Sequence, residues 1–156
     1  MKRLLSHCVL VVICLMSFGC GSGTKVTGKV AFPDGTPLTV GKVMFTDTQT
    51  SAFGTIDKNG NYSMGLLKDG QGIPPGTYKV YIAEALVDGD ASLAKKDEDG
   101  NMVVPKVPAV ALKFMSADAS GLTCEVKGKT TFDITVEKLP PGYNPYPTQE
   151  AHGKWD

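Results

Sequence analysis

Ser51-Ala52-Phe53-Gly54-Thr55-Ile56-Asp57-Lys58-Asn59-Gly60-Asn61-Tyr62-Ser63-Met64-Gly65-Leu66 places two short runs either side of the tetrapeptide Asp57-Lys58-Asn59-Gly60. Short runs bounded by Gly, Asn and Asp read as strands, and period-2 alternation in them means one buried face. Asn59-Gly60 readily takes the positive φ angles of a tight turn, so the stretch predicts a β-hairpin.

The same grammar extends in both directions. Upstream, Val26, Gly28, Val30 and Phe32 alternate with Lys25, Thr27 and Lys29 up to the turn Pro33-Asp34-Gly35-Thr36-Pro37, and the next strand carries Val43 and Phe45 inward. Downstream, Ile73-Pro74-Pro75-Gly76 leads into residues 77–83, with Tyr78, Val80 and Ile82 on one face and Lys79 and Tyr81 on the other. The last pair is Leu122, Cys124, Val126 and Phe132, Ile134, Val136, joined through Lys127-Gly128-Lys129. Seven such strands without a useful 3.6-residue period predict an all-β fold, a seven-stranded antiparallel β-sandwich of two packed sheets. Residues 86–120 are expected to be an irregular insertion, and a loop of that length is functional or mobile. Residues 139–156 are too rich in proline for a central strand and read as an extended tail.

The N-terminus has a different character. Met1-Lys2-Arg3 precedes an apolar run from Leu4 to Phe18 and the small residues Gly19, Cys20, Gly21, Ser22 and Gly23. A charged start, a short apolar stretch and a small-residue exit describe a signal peptide over residues 1–19. The run falls short of the roughly 20 apolar residues that span a bilayer as a helix. Ser17-Phe18-Gly19-Cys20 resembles the bacterial lipobox, a Leu-small-small-Cys pattern. Gly19 and Cys20 fit it; Ser17 and Phe18 depart from it. Two outcomes stay open: ordinary cleavage that leaves a free thiol, or acylation of Cys20, which would tie the protein to a membrane. In the second, residues 20–24 are the flexible tether. Gly21 after the cysteine is similar to lipoproteins sent on to an outer membrane.

Without residues 1–19 the chain has 137 residues, enough for one domain with its own core. It then carries fourteen Lys, no Arg and sixteen acidic residues, a balance that does not point to nucleic acid. Of four cysteines, Cys8 and Cys14 leave with the signal and Cys20 is the candidate anchor. Cys124 remains, placed as a buried small hydrophobe with no partner for an intradomain disulfide.

Val26-Thr27-Gly28-Lys29-Val30 with Asp34-Gly35-Thr36-Pro37-Leu38, Asp57 through Gly60 and Tyr62, and Pro75-Gly76-Thr77-Tyr78-Lys79-Val80 together resemble the carboxypeptidase regulatory-like domain. The resemblance covers residues 25–138 and implies a transthyretin-like (prealbumin-like) Greek-key sandwich. The closing residues Ser120 to Val126 and Phe132-Asp133-Ile134 look like small planctomycete-type bacterial lipoproteins made of one such domain. The shared residues make turns and anchor sheets, so they specify a fold and not a chemistry.

An enzyme must find its groups, and the body of the chain has one histidine, His152, close to the end of the tail. That argues against Ser-His-Asp or Cys-His catalysis. Hydroxyisourate hydrolase, the enzyme most similar in fold to the family, uses several histidines, an arginine and a C-terminal Tyr-Arg-Gly-Ser; this chain ends Gly153-Lys154-Trp155-Asp156. No catalytic residues and no cofactor are expected.

Asp97-Glu98-Asp99-Gly100-Asn101 offers alternating oxygen donors, which makes Asp97 and Asp99 weak metal candidates, but Met102 and Pro108 stand where a Ca²⁺ loop needs Gly and Glu. Tyr81, Tyr143, Tyr146 and Trp155 are the aromatics available for stacking on a glycan. The sequence therefore supports an exported envelope protein held in the outer membrane by a lipid on Cys20. It acts as a non-catalytic interaction or structural module, with an envelope protein or polysaccharide as possible partner. The alternatives are a glycan- or protein-binding assembly factor and an enzyme with an unrecognised site.

Overall fold

Strands form where the alternation lies, and their inward residues meet. The computed structural model describes residues 23–143; the expected signal segment, Cys20, and Tyr146, His152 and Trp155 lie outside the described residues. One antiparallel sheet takes β2 (Lys42–Thr46), β3 (Ser51–Thr55), β5 (Gly76–Ala83) and β10 (Leu122–Val126) in the order β10-β5-β2-β3. The other has β1 (Val26–Ala31) at its centre, β4 (Asn61–Ser63) along one edge, and β11 (Thr130–Thr131) and β12 (Ile134–Thr135) along the opposite one. Between them lies a continuous core of Val26, Val30, Val43, Phe45, Tyr78, Val80, Ile82, Val126, Ile134 and Val136. Each fully buried aliphatic or aromatic side chain contributes about 1.5–3 kcal/mol.

Several expectations change. The second sheet is mixed, because β1 runs parallel to β11 and β12: Val26 pairs with Thr130 and Val30 with Ile134. The strands either side of Lys127-Gly128-Lys129 do not pair with each other either. β10 lies beside β5, and the chain then crosses to the other sheet. Alternation marks which residues face inward, and both runs do, but it does not say from which sheet.

The 57–60 turn forms and keeps hairpin register at its ends, yet its strands part. Asp57 and Asn61 are hydrogen-bonded, and Phe53 and Gly65 exchange both bonds at 2.9 Å. In between, Thr55 N–H donates to Asp69 Oδ1 and the Ser63 carbonyl accepts from Gly70. Loop residues thus replace the missing rungs, so β3 joins one sheet and β4 the other. Only Gly60 of the pair Asn59-Gly60 has positive φ, 83°.

Residues 86–120 are more ordered than expected. At Glu84, with φ of 56°, the chain leaves β5 and enters a ribbon. β6 (Leu86–Asp88) pairs with β9 (Lys106–Pro108), and beyond a 3-10 turn at Ala91–Leu93, β7 (Lys95–Lys96) pairs with β8 (Met102–Val103). The segment then returns to the body, where Val110 and Phe114 are buried in the core and a 3-10 turn spans Leu112–Met115.

The centre of β1 is tightly packed. Gly28 leaves room for the Tyr62 hydroxyl, which donates to the Phe132 carbonyl at 2.5 Å. A Cβ on Gly28 would sit 2.8 Å from that hydroxyl oxygen and overlap the carbonyl. There the last strand breaks into β11 and β12, and the Asp133 carboxylate accepts from Lys29 N–H in place of a backbone rung.

Candidate functional site

The described chain starts in a clamp. Thr24 and Ile73 exchange two backbone hydrogen bonds, of 2.7 and 3.0 Å. Gly23 is packed so closely on Gly72 that a Cβ there would lie 2.6 Å from its carbonyl carbon. Residues 23 and 24, expected as tether, therefore belong to the sandwich. Cys20 stands three positions ahead of this fixed point. Because β1 runs away from the clamp and pairs parallel with the last strand, the chain leaves β12 at the opposite end of the sheet.

That opposite end carries shallow apolar grooves. One, of about 480 Å³, lies between Leu112, Lys113 and Glu137 and the segment 139–143. A second, of about 350 Å³, lies between that segment and Phe32, Val87 and Val107. Lys138 secures the corner: its Nζ is 3.1 Å from Asp34 Oδ2 and 5.1 Å from the centre of the Phe32 ring. Tyr143 lines both grooves.

A third cleft, of about 720 Å³, is lined by Thr46, Asp47, Thr48, Thr77, Tyr78, Lys79, Ala117, Asp118 and Thr123. Lys79 and Asp118 form an ion pair across it, and this bond holds the Asp118 carboxyl below its usual range. Asp47 is occupied in its own turn, accepting from Gln49 and Thr50 N–H. Tyr78 donates to the Pro74 carbonyl, and desolvation pushes its phenol upward. Its lining thus brings together four threonine hydroxyls, two carboxylates and one ammonium. The sequence does not reveal this cleft, because Thr46, Thr77, Lys79 and Thr123 meet only through cross-strand register.

The residues singled out from sequence are scattered. Tyr81 is half-buried in the sheet opposite Met44, which itself faces Phe53, so it packs in a cross-strand row. Asp97 begins a turn at the ribbon tip. Its Oδ1 accepts from Asp99 and Asn101 N–H, its Oδ2 accepts from the Asn101 side chain, and these bonds lower its pKa. Asp57 makes the same bonds to Asn59 and Asn61. Both oxygens of Asp97 thus hold the turn together, and Asp99 contributes through its backbone N–H.

No group of three or more metal-ligating side chains occurs among the described residues. Those residues also include no histidine and no arginine. Cys124 is 3% exposed, and burial pushes its thiol up, away from thiolate chemistry. Burial does the same to the Tyr62 phenol. Ser120 Oγ donates to the Val80 carbonyl and accepts from Leu122 N–H, an arrangement that closes a turn.

No family model and no curated protein matches the chain. Among solved structures it is similar to a DUF3823 family protein from Bacteroides ovatus, at 17% identity over 74% of this chain and 45% of that one, with a TM-score of 0.41. A DUF3823 family protein from Parabacteroides merdae gives 12% identity over 74% and 46%, with a TM-score of 0.39. The major pilin subunit BcpA of Bacillus cereus gives 13% over 76% and 30%, with a TM-score of 0.37. The chain spans just under half the length of the two DUF3823 proteins.

Proposed function

We propose that this protein is a non-catalytic envelope lipoprotein, a β-sandwich tethered through Cys20 that serves as an interaction or structural module. The carrying observation is the signal-type run of residues 1–19 ending at Cys20, only three positions before the clamped Gly23. The domain takes the carboxypeptidase regulatory-like, transthyretin-like form. β11 and β12 keep one register along β1, and counting them as one strand supports the seven-stranded Greek-key reading. Its place is the outer membrane, and its partner an envelope protein or a polysaccharide.

Intact-mass measurement and detergent partitioning of the expressed chain beside Cys20→Ala test the anchor. The expected result is diacylglyceryl and acyl mass on the wild type, which enters the detergent phase, and loss of both in the variant. Wild type without acyl mass that stays in water refutes it.

The cleft around Lys79 and Asp118 favours a second reading, a glycan-binding assembly factor. Titration with soluble envelope oligosaccharides, with Lys79→Ala as control, separates it from a purely structural role.

A further inference from the structure

The start of β1 is flanked by two loops. On one side Met64 N–H donates to Val26 and Thr24 pairs with Ile73; on the other, Thr130 N–H donates to Lys25. Residues 65–73 and 127–130 therefore surround the clamp at Gly23. Gly65 lets the first loop fold flat, since a Cβ there would overlap the Lys68 carbonyl oxygen. Its side chains Leu66 and Leu67 are left outside, and Leu67 is 84% exposed. Water-exposed leucine at a loop tip gains free energy wherever an apolar phase can receive it.

Three lysines lie on the segments at and beside the start of β1. Lys25, Lys68 and Lys129 are exposed, and among the described residues none of the three takes part in an ion pair. The carboxylates at this end keep their charge: Glu125 is 2.9 Å from Lys127, whereas Asp69 and Asp47 accept only from backbone N–H groups. Lys25, Lys68, Lys127 and Lys129 thus exceed Glu125, Asp69 and Asp47 by one charge, beside the exposed leucines. That pairing matches a bilayer surface bearing anionic headgroups.

The attachment point agrees. Three residue steps separate Cys20 from Gly23, a reach of at most roughly 10 Å even when fully extended. Since Gly23 is itself clamped, an acylated Cys20 lets this end move no further from the membrane than that short reach.

We infer that the end formed by residues 65–73, residues 127–130 and the start of β1 rests on an anionic lipid surface, with Leu66 and Leu67 among the headgroups and the lysines against phosphates. The orientation rests on the Cys20 anchor proposed above; the chemistry of the surface does not. The contact adds to the lipid chains and faces the grooves around Tyr143 away from the membrane.

The test uses the full chain with an environment-sensitive fluorophore on Leu67→Cys, or on Lys58→Cys at the far-end turn, reconstituted into phosphatidylcholine vesicles containing phosphatidylglycerol. The position 67 label should shift to the blue and be quenched by brominated acyl chains; the position 58 label should do neither. In parallel, Cys20→Ala should pellet with phosphatidylglycerol vesicles and not with pure phosphatidylcholine. Adding Leu67→Ser and Lys129→Glu should weaken that binding on the order of tenfold. An acylated protein whose position 67 label stays in water overturns the inference and leaves the anchor standing. An unacylated wild type overturns the anchor, and the pelleting result then decides the inference alone.

Discussion

The Tyr62 hydroxyl reaches the Phe132 carbonyl only because Gly28 has no side chain between them. One bond therefore joins β4 to the last strand beneath β1. Tyr62→Phe should cost about 1 kcal/mol, the net worth of a typical hydrogen bond, since the carbonyl it leaves is only part-buried. Gly28→Ala should cost more, because the added methyl displaces both partners. Urea unfolding of the two variants beside wild type gives the order, and a Gly28→Ala variant as stable as wild type contradicts this packing.

Gly60 and Gly100 allow a matched comparison. Each follows an Asp-capped turn, with φ of 83° and 85° respectively. A Cβ on Gly100 meets open space, whereas one on Gly60 would lie 2.6 Å from the Val30 carbonyl oxygen. Gly100→Ala should show backbone strain alone, roughly 1 kcal/mol. Gly60→Ala should lower the melting temperature further, since it adds a collision with β1. Equal shifts would mean that the turn can move off the strand.

Asp34 gives the protein an acid-sensitive corner. Hydrogen bonds from Thr36, with help from Lys138, lower its carboxyl from 3.8 to about 2. A depressed folded-state pKa stabilises the fold above the unfolded value, and that contribution is lost as pH falls through the folded one. Asp34→Asn should therefore flatten the stability profile between about pH 4 and pH 2 and leave its shape near neutrality alone. Denaturation midpoints across that window would reveal an unchanged profile if the corner contributes nothing.

Cys124 should behave as a core residue. With its thiol buried and raised, it should resist an aromatic disulfide reagent in the native protein and react fully once unfolded. Rapid native labelling at position 124, located by peptide mass, would mean that β10 opens easily.

Much of this architecture was legible in the chain. Alternation gives the inward faces of β1, β2, β5 and β10, and the buried set Val26, Val30, Tyr78, Val80, Ile82, Cys124 and Val126 follows it residue by residue. Pairing was less legible. Phe132 and Ile134 belong beside β1 because of a crossover that no local pattern encodes. The 86–108 ribbon was hidden for another reason: its short ladders leave both faces largely exposed, with Met102 63% exposed, so no alternation marks them. Of the candidate site residues, the structure separates Tyr81, Asp97 and Tyr143. The cleft around Lys79 and Asp118 and the lysine–leucine end arise only when distant segments meet at a sheet edge or around the clamp.

The parallel pairing of first and last strands also has a mechanical consequence. If the clamped end is pulled toward a membrane while a partner pulls the chain beyond β12 the other way, the force runs along β1 and its neighbour in opposite directions. The bonds at Val26–Thr130 and Val30–Ile134 are then loaded in shear, all together and not one after another. Such a domain yields abruptly at high load instead of unzipping.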